Sequence, residues 1–267
     1  MKNLRVLFFG DIVGAPGVRA VFAGLKSLIA EYNAHAVIAN AENASDGFGL
    51  NVQDMNILFN SGVNVITSGN HIWQKEEIFP YLDSEQRLLR PENYGADIPG
   101  HGTFIINNTD FSLGIINLQG RAGMDINLDC PYKTARKSIA EIKKKVNSII
   151  VDFHAENTRE KEAMAYFLDG KVSAVLGTHT HVQTTDNRIL PGGTAVITDA
   201  GMCGPQNSVI GARPELSIKR SLTQLPVKMA VSDSQAVLQG VFLEIDPSGG
   251  KALAIERIRK RNSGDNG

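Results

Sequence analysis

Apolar residues in this chain fall in short continuous runs that alternate with helical periods, and the runs end on polar side chains. Residues 4–9, Leu-Arg-Val-Leu-Phe-Phe, read as a buried strand. Val18, Val21, Phe22, Leu25, Leu28 and Ile29 then repeat with the period of a helix over 18–32. The pattern predicts a strand at 36–39 with a helix at 51–60, and a strand at 63–67 with a helical segment around 74–82. Residues 83–102 read as loop, and 103–106 with 111–118 as a hairpin about 107–110. A polar loop at 119–131, a basic helix at 132–146, a strand at 148–153, a helix at 159–168 and strands at 172–177 and 192–199 follow. Beyond a Gly-rich loop at 201–211 and a short helix at 217–222, residues 227–231, 236–245 and 252–258 predict antiparallel strands. Residues 257–261 read as a solvated, frayed basic end. No repeat, linker or composition shift divides the chain, so the expectation is one α/β domain over 1–267.

The strand ends carry the chemistry. In a parallel sheet the C-terminal ends of the strands share one edge, where open α/β proteins bind ligands. Asp11 follows the first strand, Glu42 and Asn43 the second, Asn70 and His71 the third. His154 ends the strand at 148–153, and His179 and His181 follow the one at 172–177. A single such residue is easily a turn former or a cap, whereas a set in register is harder to dismiss. Strand alternation predicts that His179 and His181 share a face if the extended geometry persists. His35 and His101 lie away from this edge and receive no function.

A catalytic zinc takes three protein ligands and a water, so this set exceeds one such site. It suits two ions sharing a carboxylate. Mixed imidazole, carboxylate and amide donors favour Fe, Mn, Zn or Mg over thiolate-seeking ions. Two ions about 3.5–4 Å apart hold a bridging hydroxide and stabilise the oxygens of an in-line displacement at phosphorus. The reaction class that follows is metal-assisted hydrolysis of a phosphate ester.

Composition narrows the choice further. The formal net charge of −1 gives no global attraction to nucleic acid or an anionic membrane, so a phosphate ligand needs local positive charge, which metal ions supply. Aromatic residues are only 6%, and none interleaves with the basic residues of 132–146, which argues against an RNA-binding module. The Gly-rich loop at 10–17 lacks G-x-G-x-x-G and the Lys-Ser/Thr of a P-loop. The N-terminal apolar run is too short for a signal peptide, and no stretch reaches the ~20 apolar residues of a membrane span, so a cytoplasmic location is expected. Cys130 and Cys203 form no C-x-x-C and are expected as free thiols, Cys203 as packing.

Gly10-Asp11, Glu42-Asn43, Gly69-Asn70-His71, His154 and Gly177-Thr178-His179-Thr180-His181 occur in the order of the calcineurin-like metallophosphoesterase motifs. Gly10-Asp11-Ile12-Val13-Gly14, Ala41-Glu42-Asn43-Ala44, Asn117-Leu118-Gln119-Gly120-Arg121, Asp152-Phe153-His154-Ala155-Glu156 and the run 177–190 further resemble the bacterial YmdB-like branch, over nearly the whole chain. The resemblance implies a four-layer α/β/β/α sandwich and activity on cyclic nucleotides, notably 2′,3′-cyclic nucleotides such as 2′,3′-cAMP. It implies that Asp11, Asn43 and His181 hold one metal and Asn70, His154 and His179 a second, with Glu42 bridging. Iron is the first expectation for the ions, with Mn, Mg or Zn as alternatives. His71 would be the general acid, protonating the leaving oxygen opposite the attacking hydroxide, and the bland alternative is a residue that orients Asn70.

Two departures stand out. Position 13 is Val where many relatives carry Asp-x-His, and Ile72 follows His71 where many carry Glu or Asp, so the support for His71 is open. Thr178 and Thr180 read as ordinary strand-end residues in the first instance, with hydrogen-bond donors behind the ligands as the alternative, and Asp199 as either a turn residue or an orienter of a ligand histidine. The alternatives to a cyclic-nucleotide phosphodiesterase are a phosphomonoesterase or phosphoprotein phosphatase, and a regulatory nucleotide-binding protein with little turnover. The expected partner is a small cyclic nucleotide, with no membrane and no stable nucleic-acid complex; the oligomeric state is left open.

Overall fold

The first strand, β1 (Leu4–Phe9), already separates the layers: Leu4, Val6 and Phe8 enter one apolar cluster, while Leu7 and Phe9 enter another. Alternate side chains leave opposite faces of a strand, so a continuous apolar run means a sheet covered on both sides. The computed structural model describes residues 3–95 and 97–261.

The chain continues through β2 (Asp11–Ile12), α1 (Gly14–Tyr32), β3 (Ala36–Asn40), α2 (Val52–Ser61), β4 (Val65–Thr67) and α3 (Phe79–Ser84). After β5 (Thr103–Asn107) and β6 (Ser112–Gln119) come α4 (Pro131–Ile142), β7 (Ser148–His154), α5 (Thr158–Leu168) and β8 (Ala174–Thr178). The C-terminal part adds β9 (Arg188–Ile189), β10 (Ala195–Ile197), β11 (Met202–Pro205), α6 (Pro214–Thr223), β12 (Ala236–Ile245) and β13 (Ala252–Arg261). One sheet has the order β2-β11-β12-β1-β3-β4, with β13 also paired to β12; the other has the order β5-β6-β7-β8-β10-β9. Pairing is parallel for β1/β3, β3/β4, β6/β7, β7/β8 and β8/β10, so these strands end on common edges.

Leu4, Val6, Phe8, Ile38, Val241 and Leu243 of one sheet meet Leu113, Ile115, Ile150, Leu176 and Ile197 of the other in a central cluster. The outer face of the first sheet packs on α1 and α2 through Val21, Leu25, Met55 and Leu58. The outer face of the second packs on α4 and α5 through Ile139, Ile142, Met164 and Leu168. The architecture is the expected four-layer α/β/β/α sandwich. No helix of the described residues is long and apolar enough to cross a membrane.

Three expectations fail locally. The segment around 74–82 is helical as expected, though it begins as two 3₁₀ turns, Asn70–Gln74 and Glu76–Ile78, before the short helix α3. Residues 227–231 alternate like a strand, yet only Val231 pairs, in an isolated bridge with Ala212, because alternation without a free partner edge makes no strand. The Gly-rich loop at 201–211 contains β11, which pairs parallel to β2 and antiparallel to β12. Residues 257–261 belong to β13, paired to β12 through Arg261 opposite Val237.

Candidate metal centre

Asp11, at the first strand end, is fully buried, and its Oδ2 accepts the backbone N–H of His179 at 3.0 Å. Its Oδ1 has no hydrogen-bond partner among the described residues; His181 Nε2 lies 3.7 Å away and His154 Nδ1 3.9 Å. Burial outweighs these two imidazoles and raises the Asp11 carboxyl above its usual range.

Glu42, equally buried, sits between the two sheets' strand ends. Its Oε1 lies 3.2 Å from His154 Nε2 and 3.2 Å from His71 Nδ1, and its Oε2 accepts the backbone N–H of His71 at 3.0 Å. Burial opposes ionisation here too, but the His154 and His71 contacts win and hold Glu42 well below the usual carboxylate range. For His154 burial is again the largest influence and lowers the pKa, yet Glu42 and Asp11 carry it up to about 9. Among the described residues, Glu42, His154 and His179 each offer a donor atom within 4.8 Å of the others. The chain approaches this point closely: a Cβ at Gly69 would stand 2.2 Å from His154 Cδ2 and 2.4 Å from Glu42 Oε2. Gly69 therefore brings Asn70 alongside, with Oδ1 3.2 Å from His154 Nε2.

His154 is oriented from behind. Thr178 Oγ1 donates to Asp152 Oδ1 at 2.8 Å, so it accepts from His154 Nδ1–H at 2.9 Å. That fixes the tautomer and turns Nε2 toward Glu42, Asn70 and His179. Asp152 also accepts from Thr67 Oγ1 and Asn40 Nδ2, and burial raises it to about 6. Thr178 is thus a working partner of His154 rather than an ordinary strand-end residue.

The strand-alternation argument for His179 and His181 does not hold. β8 ends at Thr178, and the two histidines take φ values of 104° and 65°, so each is placed by left-handed backbone. Non-glycine residues rarely accept such angles, and two at one edge mark a geometry the surroundings enforce. Asp199 is the enforcer: its Oδ2 accepts the N–H and Oγ1–H of Thr180 at 3.0 and 2.8 Å and pairs with buried Lys161 at 2.9 Å. Asp199 therefore holds the backbone between the two histidines and bonds neither ring.

The histidines end up in different company. His179 Nδ1 lies 2.9 Å from His154 Nε2, while its Nε2 lies 3.2 Å from Glu156 Oε2. Burial first, then the His154 charge, push His179 down to about 3. His181 Nε2 lies 3.2 Å from Asn43 Nδ2, and its Nδ1 donates to the Ile210 carbonyl at 2.8 Å. Asn43 Oδ1 in turn lies 2.7 Å from His71 Nδ1. An amide nitrogen has no lone pair for a metal, so Asn43 reaches an ion beside His181 only with its two amide atoms exchanged. The sequence-expected residues Asp11, Glu42, Asn43, Asn70, His71, His154, His179 and His181 thus form one connected cluster. Glu156, Asp152 and Lys161 join it unannounced; Asp152 and Glu156 lie within the Asp152-Phe153-His154-Ala155-Glu156 motif, while Lys161 carries no sequence signal. Cys203 is fully buried and its thiol is pushed up to about 12 by burial, in keeping with packing.

Two facing sheets between helical layers, with this donor cluster at the strand ends, define a metallophosphoesterase-type α/β/β/α protein. The family model described as YmdB-like protein matches residues 7–258, and the chain belongs to that family. It is 46% identical to the 2′,3′-cyclic-nucleotide 2′-phosphodiesterase of Bacillus subtilis (strain 168) over 255 residues, 96% of each chain. A crystal structure of a novel phosphatase from Mycoplasma pneumoniae superposes with a TM-score of 0.92 at 37% identity, covering 98% of this chain and 94% of that one. A crystal structure of a hypothetical protein from Thermus thermophilus gives 0.90 at 37% identity, covering 97% and 100%. The chain is a phosphoric ester hydrolase with a site suited to divalent metal.

Proposed function

We propose that this protein is a two-metal phosphodiesterase that opens 2′,3′-cyclic nucleotides at the 2′ oxygen. The observation that carries the reading is Glu42, a buried carboxylate whose Oε1 stands 3.2 Å from both His154 and His71, in a chain 46% identical to an enzyme named for that reaction. The donor chemistry fits metal: a buried carboxylate oxygen on Asp11 without a partner among the described residues, and a neutral His179 whose backbone N–H the same carboxylate holds. Asp11, Asn43 and His181 would hold one ion, Asn70, His154 and His179 the other, and Glu42 both. Bound there, the ions supply positive charge to the phosphoryl oxygens and acidify water at neutral pH.

His71 contributes the proton. Its Nδ1 faces Glu42 Oε1 at 3.2 Å, a contact that survives the amide exchange Asn43 needs as a ligand, so that nitrogen is taken up and Nε2 is left for the substrate. With Ile at position 72, Glu42 is the carboxylate that meets Nδ1 and fixes the direction of the ring. Water would add its hydroxyl to phosphorus and release its other proton to solvent, the bond from phosphorus to O2′ breaks, and Nε2–H of His71 protonates O2′ and is replaced by a proton from solvent. The product is a nucleoside 3′-phosphate.

A cytoplasmic setting, where nucleotides are made and turned over, suits this substrate. The runner-up, a phosphomonoesterase, draws on the relative solved as a novel phosphatase. Turnover of 2′,3′-cAMP, 3′,5′-cAMP, bis-p-nitrophenyl phosphate and p-nitrophenyl phosphate separates the two. The diesterase reading expects 2′,3′-cAMP to be cleaved fastest, and it fails if the monoester outpaces every diester. His71→Ala is expected to retain metal and lose about 10²–10⁴-fold in turnover.

A further inference from the structure

Phe48 is an aromatic ring that the packing of the core does not require. It is 51% exposed, yet its ring stacks on His71 with centroids 4.0 Å apart and planes inclined by 29°. The chain goes to some length to hold it there. Phe48 N–H bonds to the Ser45 carbonyl at 3.0 Å, closing a turn whose central residues, Asp46 and Gly47, have φ of 57° and 79°. Positive φ at both central positions costs a non-glycine residue energy, so Asp46 marks a turn that is specified. The turn is tied at both sides. Ser45 Oγ donates to Asp54 at 2.6 Å and accepts the Asn51 N–H at 2.8 Å, while Lys75 pairs with Asp46 at 3.1 Å.

Across the site, the His181 side has a matching apolar rim. Ile210 is 57% exposed, and its carbonyl is the group that receives His181 Nδ1–H. Both rims rest on Val231: a Cβ at Gly47 would stand 2.8 Å from Val231 Cγ2, and Val231 bridges to Ala212 in the segment that carries Ile210. The metal-side polar cluster therefore opens between two exposed apolar residues that share one support.

From this geometry we infer that Phe48 is the stacking platform for the nucleobase of the substrate. The inference rests on the cyclic-nucleotide reading above and adds to it a site for the base. A 2′,3′-cyclic nucleotide carries its base one ribose away from phosphorus. With phosphorus beside His71, the adjoining exposed ring is the flat surface the base meets. Every base has a π face, so such a platform binds without hydrogen-bond readout and favours the larger purines. The alternative is that Phe48 only steadies His71.

The test uses the product nucleotides, so it reads binding independently of turnover. Calorimetry measures 3′-AMP and ribose 3-phosphate, equal in phosphate charge, on metal-loaded wild type, Phe48→Ala and Phe48→Tyr. Wild type is expected to bind 3′-AMP about tenfold more tightly than ribose 3-phosphate. Phe48→Ala should bring that ratio close to one, and Phe48→Tyr should keep it. A ratio unchanged in Phe48→Ala, or an equal loss of affinity for both ligands, overturns the platform. Base-dependent binding lost in Phe48→Ala, with no wild-type cleavage of 2′,3′-cAMP, upholds the platform and sinks the diesterase reading instead.

Discussion

The Oδ2 atom of Asp11 accepts the backbone N–H of His179 at 3.0 Å, while Oδ1 of the same buried carboxylate has no hydrogen-bond partner among the described residues. One oxygen thus positions the histidine loop, and the other is free to meet a cation. Burying such a group is costly unless something compensates it.

Asp11→Asn separates these roles, because the amide keeps an oxygen for the His179 N–H and removes the charge that burial penalises. Stripped of metal by a chelator, the variant is expected to melt at or above the wild type. Metal at 100 times Kd stabilises a folded protein by about 2.7 kcal/mol, or roughly 5–10 °C for a chain of this size. The variant should gain less than half of the wild-type rise. An equal metal-dependent rise in the two proteins would show that Asp11 holds no ion.

The second prediction concerns protons. In stripped protein His154 titrates at about 9, raised from 6.5 by Glu42 and Asp11 against the pull of burial, so it is protonated at pH 7.5. A metal ligand must be the neutral imidazole, so loading is expected to release about one proton per chain at that pH. Apparent metal affinity should climb about tenfold per pH unit up to about 9 and flatten above it. The same raised value stabilises the stripped fold fully below pH 6.5, and that contribution is lost as pH rises through about 9. A pH-stat titration in dilute buffer reads the release; metal uptake without proton release contradicts the assignment of His154.

Glu156 carries the third. Its carboxylate lies 3.2 Å from His179 Nε2, which leaves His179 Nδ1 facing His154 and Glu42's side of the cluster. A carboxylate behind a ligand histidine orients the ring and raises its basicity. Glu156→Gln is expected to weaken metal binding by about 10–100-fold with the fold unchanged by circular dichroism. Competition with a chromophoric chelator measures this, and wild-type affinity in the variant would make Glu156 a bystander at the surface.

Much of this molecule is determined by the sequence alone. Continuous apolar runs, alternating with helical periods, establish sheets covered on both faces, since strand and helix periodicities are local consequences of backbone geometry. The polar residues at the strand ends, from Asp11 to His181, are legible for the same reason, because parallel strands place their ends on one edge. What the sequence does not carry is which edge each short segment pairs with. Residues 227–231 alternate and form no strand, whereas the Gly-rich stretch at Met202–Pro205 pairs on both sides, because pairing depends on a free neighbour contributed by distant chain.

The histidine pair is the sharpest case. The sequence placed His179 and His181 beyond a strand end but read them through strand alternation. The resemblance already put His179 in the company of His154 and His181 in that of Asn43, but strand alternation could not produce the split: the Asp199–Lys161 pair and the Asp11 carboxylate hold that backbone at positive φ, aiming His179 at His154 and His181 at Asn43. Thr178, Glu156 and Phe48 owe their places to the same kind of cause. Each acts through a contact with a residue from another part of the fold or across a bend of the chain, and the direction of a side chain at a strand end follows from those contacts rather than from its position in the sequence.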